Sequence, residues 1–171
     1  GVSDGQVDLQ GTVTTDLIIH GQVENAQQLR LTLTEGEIIN HPAGGATPPS
    51  DSLIASLPAA EFDTFVAAGP STGDGTRPLV IGPSYELGGP GGIDAVFSES
   101  EIDVWFSDVG PTKPRDEGYL AARITLSADS VGTLAFSANS YARETLLFRV
   151  VNGMIVPANA IVSPEPDTIV A

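Results

Sequence analysis

The stretch Leu29-Arg30-Leu31-Thr32-Leu33-Thr34 alternates without a break, three leucines on one side and Arg30, Thr32 and Thr34 on the other. Successive side chains of an extended strand point to opposite faces, so this pattern marks a strand with one face on a core and one in water. Antiparallel sheets accept that arrangement, whereas parallel sheets are covered on both faces. Glu101-Ile102-Asp103-Val104-Trp105-Phe106 repeats it, with Ile102, Val104 and Phe106 opposed to Glu101, Asp103 and Trp105. Almost nothing in the chain carries the longer period of an amphipathic helix.

The remaining apolar runs are short and are punctuated by 19 Gly and 13 Pro. Val7-Asp8-Leu9 and Thr12 to Ile19 read as extended, with Gly11 placed for a bend or bulge between them. Glu35-Gly36-Glu37 reads as a turn before a short strand at Ile38-Ile39-Asn40. From His41 to Pro58, the residues Pro42, Gly44, Gly45, Pro48 and Pro49 predict a long surface loop, with a helical turn near Leu53-Ile54-Ala55. Phe62 to Val66 and Leu79 to Ile81 read as further strands. Tyr119 to Leu126 and Thr133 to Ala138 flank Ala128 to Gly132, which predicts a hairpin, and Asn152-Gly153 between Leu146–Val150 and Met154–Val156 predicts another.

About ten short strands with turn residues between them fit an all-β chain, an antiparallel β-sandwich of jelly-roll-like topology. A closed barrel is the second architecture that such a pattern allows. Residues 1–160 are expected to form one domain, in which 1–19 is a possible extended or donor strand, and 161–171 a Pro-rich tail.

Charge narrows the partners. Asp and Glu total 22 against 7 Lys and Arg, a formal net charge of −15. Such a surface repels a polyanion, so nucleic acid is not an expected partner. Carboxylates are the hard oxygen ligands that calcium prefers, which makes a structural calcium ion the one cofactor to consider. Asp4, Asp8, Asp108, Asp116, Glu117 and Asp129 fall in or beside expected turns, but no EF-hand spacing occurs, and such residues also cap turns without any metal. The metal-ligand set is therefore unknown at this stage. The chain has no cysteine, which removes disulfides and thiolate chemistry. No apolar run approaches the ~18 residues of a membrane helix, and no signal peptide stands in the sequence, so it is expected to be cytoplasmic or already processed.

Catalytic chemistry has few candidates, and no catalytic residue is assigned. His20 and His41 are the two imidazoles, and neither stands near a nucleophile-elbow pattern. Glu99, Glu101 and Asp103 alternate along one strand face, as groove-lining acids of a glycosidase would, but a solvated strand face gives the same alternation. Trp105 is suited either to an aromatic platform for sugar or, more in keeping with a single Trp, to the core.

Val162-Ser163-Pro164-Glu165-Pro166, after the expected final hairpin, resembles the opening of the PEP-CTERM sorting signal of exported bacterial proteins. In that family a membrane helix and a basic cluster follow the motif and are removed by an exosortase. Here Pro164, Glu165 and Pro166 match, Ser163 stands where Val is usual, and the helix and basic tail are absent. Leu29 to Glu35, Phe62 to Val66, and Ala122 to Ser127 with Gly132-Thr133 resemble segments of secreted PEP-CTERM proteins of planctomycete type. The resemblance implies export, surface or matrix localisation, carboxyl-terminal processing and no enzymatic activity.

Export and open β edges together lead to the expectation of a self-associating structural protein, a subunit of a filament, sheath or matrix. An extended strand inserted into a second copy's sheet would satisfy edge hydrogen bonds on both sides. Val7, Leu9, Val13, Leu17 and Ile19 are the expected assembly residues. Extracellular polysaccharide is the alternative partner, bound by a secreted module of the same fold.

Overall fold

The structure, a computed structural model, describes residues 11–23, 27–40, 46–69, 79–82, 95–108, 113–137, 145–159, 161–162 and 169–170. The chain is all-β. Its strands are β1 (Thr12–Val23), β2 (Gln27–Glu35), β3 (Phe65–Gly69), β4 (Leu79–Gly82), β5 (Val96–Phe97) and β6 (Glu101–Asp108). They continue with β7 (Lys113–Ser127), β8 (Val131–Ser137), β9 (Leu146–Val151), β10 (Met154–Pro157), β11 (Ile161–Val162) and β12 (Ile169–Val170). Every described pairing is antiparallel.

Two sheets carry the fold. The larger runs β10-β9-β8-β2-β6-β4, with β5 also on β6, and the smaller runs β1-β7-β3. Alternation decides what each sheet turns inward. Leu29 pairs with Val104 on one side and Phe136 on the other, and Leu31 with Ile102 and Leu134. All six are buried, as are Leu17, Val66, Ala122, Ile124 and Leu126 of the smaller sheet, and together they form one continuous apolar cluster. The result is sandwich-like: two sheets with a shared interior, and not the closed barrel that the strand count also allowed.

One end of the sandwich is tied by its turns. Asn152 and Gly153 take φ of 50° and 76°, the left-handed pair of a two-residue type I′ hairpin between β9 and β10. The Gly153 N–H donates to the Ser130 carbonyl (3.0 Å), and the Ala128 N–H to the Gly11 carbonyl (2.8 Å). The Ser127 hydroxyl accepts the Glu37 N–H (2.9 Å) and contacts the Ser130 hydroxyl (2.9 Å). Gly36, at φ 80°, lies against Ser130 so closely that a Cβ would collide with its hydroxyl. Connections distant in sequence thus share one hydrogen-bonded cluster.

Several details depart from the sequence reading. Ala128 to Gly132 does not close a hairpin: β7 belongs to the smaller sheet and β8 to the larger, where it pairs with β2 and β9. The turn is a corner between sheets. Ile38 makes a single bridge to Leu126 in place of a strand. Phe62 closes a 3-10 segment, Pro58–Phe62, so the strand expected there begins only at Phe65. Gly11 precedes β1, and the register shifts of β1 fall instead between Leu17 and Ile18 and between Ile19 and Gly21. The helical turn near Leu53 is present as α1 (Asp51–Ser56), its first turn capped by the Ser50 hydroxyl on the Leu53 N–H (3.1 Å).

Candidate functional site

β1 is the long edge strand of the smaller sheet. It pairs along one side with β7, from Thr12↔Ser127 to Val23↔Lys113. Period two splits its side chains: Val13, Thr15 and Leu17 face Leu126, Ile124 and Ala122, while Thr12, Thr14 and Asp16 face Ser127, Thr125 and Arg123. The same alternation carries on through the register shift after Leu17, where β7 holds the extra residue Ala121: Ile18 packs on the outer cluster of Phe65, Ala67 and Leu120, and Ile19 joins the main core. Val13, Leu17 and Ile19 are 6, 1 and 8% exposed. At about 1.5–3 kcal/mol for each fully buried aliphatic side chain, stripping these three off costs roughly 5–9 kcal/mol. That is comparable with the ~5–15 kcal/mol that stabilises a whole domain. A β1 that opens from its sheet therefore stays out only where an equivalent strand takes its place.

The outer face of the smaller sheet is polar beneath a strap of chain, residues 46–64. Asp16 stands opposite Arg123 and binds it through both oxygens, to Nε at 2.7 Å and to Nη2 at 3.0 Å. These side chains are 23 and 15% exposed, so the pair is less screened than an ordinary surface ion pair. The remaining guanidinium nitrogen, Nη1, donates to the Glu61 carbonyl (2.8 Å), and the group lies 5.7 Å above the Phe65 ring. Two residues along on the same face, the Thr14 and Thr125 hydroxyls are 2.8 Å apart and Thr125 Oγ1 donates to the Phe62 carbonyl. A hydroxyl has one proton, so Thr14 must be the donor to Thr125. Thr64 completes the strap's seat: its hydroxyl accepts the Thr125 N–H (2.9 Å) and donates to the Thr125 carbonyl (3.2 Å).

Of the expected assembly residues, Val13, Leu17 and Ile19 come together in β1 and serve this chain's own core, while Val7 and Leu9 lie outside the described residues. Pro164, Glu165 and Pro166 also lie outside them, between the paired segments β11 and β12. Trp105 is not a core residue. Phe106 and Val104 point inward, and Trp105 is half-buried on the opposite face, across from Gln28 and Gly82. Asp103, on that same face, is 3.4 Å from Arg30, while Glu99 is exposed in the bend before β6. Asp116 and Glu117 sit within β7, Asp108 ends β6, and Asp129 alone of the named acids is seen in a turn. Asp4, Asp8 and His41 lie outside the described residues, and of His20 only the backbone, in β1, falls within them. Among the described residues no three acids or imidazoles converge as a metal site, and no helix is long and apolar enough to cross a membrane.

Sequence reasoning found β1 but missed its hold. Asp16, Arg123 and Thr125 gave no local signal, because 107 residues separate Asp16 from Arg123. The period-two pattern of Ala122 to Ser127, once set against that of Thr12 to Leu17, was the available clue. Comparison with protein-family models, with curated proteins and with solved structures finds no match to this chain. What fold and site define is a class: an all-β, sandwich-like domain with a long edge strand that contributes to its core.

Proposed function

We propose that this chain is an extracellular or cell-surface structural protein whose copies self-associate into a filament, sheath or matrix by exchanging β1. The observation that carries the reading is the placement of β1. Among the described residues it is an edge strand paired to β7 alone, yet it supplies core residues that any second copy would accept identically. Exchange leaves every contact type unchanged, so its cost falls on the connection and its gain on concentration. The connection is short: three residues separate Val23, in the smaller sheet, from Gln27, in the larger. A connection of so few residues favours exchange, in which β1 pairs with a neighbour's β7. Repeated head to tail, the exchange does not close and makes fibres. Export and surface location rest on the resemblance of Pro164, Glu165 and Pro166 to a sorting motif.

Negative-stain electron microscopy of the purified chain tests the reading, with and without millimolar calcium. Regular fibres or sheets are expected, more abundant where calcium bridges the acidic surfaces of a chain of charge −15. Dispersed single particles in every condition would contradict self-association.

A further inference from the structure

The outer face of the smaller sheet holds two hydrogen-bonded crossings of the same strand. Asp16 reaches the Glu61 carbonyl through Arg123, and Thr14 reaches the Phe62 carbonyl through Thr125. Both crossings start on β1, pass over β7 and end in the 3-10 segment Pro58–Phe62. We infer that the strap, residues 46–64, is a clasp that retains β1 in its own sheet through Arg123 and Thr125, so that opening the strap releases the strand.

The strap is well placed to be the part that opens. α1 buries no residue, and the 3-10 segment buries only Ala60. The strap also buries Pro48, Pro49, Asp63 and Thr64, and its tethers near Thr64 are polar: the seat of Thr64 on Thr125, the Thr64 N–H on the Ile39 carbonyl (3.1 Å), and the Asn40 side-chain amide on the Thr64 carbonyl (2.7 Å). Segments with few buried apolar contacts open at lower free energy than the core around them. When the strap lifts, the Glu61 and Phe62 carbonyls withdraw from Arg123 and Thr125. The Asp16–Arg123 pair then gains water and loses the third partner that fixes its geometry. β1, already an edge, is left with its backbone ladder and its apolar face. The inference rests on the exchange reading only for its consequence, since the coupling is a property of one copy.

Hydrogen exchange of the intact chain, read residue by residue, tests the coupling directly. Arg123→Gln removes both the ion pair and the link to Glu61, and its expected effect is an increase of about 10- to 100-fold in exchange at the β1 amides. The β2 and β8 amides should change far less. Thr64→Val, which removes side-chain hydrogen bonds to Thr125 of β7, should raise exchange in both the strap and β1. An equal rise in β1, β2 and β8, or a Thr64→Val effect confined to the strap, overturns the clasp. Selective opening of β1 without any fibre supports the clasp and removes the exchange reading. Fibres without selective opening of β1 do the reverse.

Discussion

At the scale of single residues the structure is governed by a few positions where backbone geometry or a polar partner leaves no substitute. Gly153 is one: its φ of 76° lies in the left-handed region, and an added Cβ would stand 2.8 Å from the Ser127 carbonyl oxygen. Gly153→Ala should therefore cost about 2 kcal/mol, adding left-handed strain to a steric one. For a domain of this size that is a drop of about 4–8 °C in the midpoint, measurable by calorimetry. An unchanged midpoint would mean that the turn does not hold this geometry. The Asn-Gly pair was legible in the sequence because its chemistry is local. Trp105 was not. Alternation correctly set it opposite Phe106, and its size argued for the core, but position within the strand decided the face.

Strands were legible as elements wherever one face was buried and the other solvated. β2 alternates between buried and more exposed positions from Gln27 to Thr34, as its leucines predict. The contrast has an energetic consequence within two adjacent residues. Leu31 is fully buried and Thr32 is exposed. Leu31→Ala should lose about 2–5 kcal/mol in denaturant unfolding, and Thr32→Ala within about 0.5 kcal/mol of nothing. Similar losses at both would place β2 in a different register. Partner choice was less legible than the strands themselves. Ala128 to Gly132 carries ordinary turn residues, and nothing local distinguishes a hairpin from a corner. The distinction arises because β8 finds β2 and β9 in the larger sheet, leaving β7 to β1 and β3. The strap was legible as a Pro-rich loop with a helical turn, but its seat was not, because Glu61, Phe62 and Thr64 gain that role only where they meet Arg123 and Thr125.

Across the whole molecule, two sheets bury a common interior and one edge strand supplies part of it. That edge unites the features most suggestive of function. Its apolar side is indispensable to the fold, its polar side is held by the strap, and its link to β2 spans only three residues. A strand so placed is either kept or exchanged, never simply donated, because an empty place in the core costs about as much as folding yields. Charge adds a second constraint. Copies bearing −15 repel one another, so assembly should need either screening or a bridging cation. The absence of cysteine from the chain makes the central claim accessible to a direct probe. Thr14 and Thr125 face each other across β1 and β7 with their hydroxyls 2.8 Å apart, close enough for a Thr14→Cys/Thr125→Cys disulfide to form. The decisive measurement is a non-reducing gel of that double variant, oxidised after assembly. Exchange of β1 predicts a ladder of covalent multiples, because each disulfide joins two copies. Complete oxidation with every chain still running as a monomer would show that β1 had stayed in its own sheet, and would contradict the account.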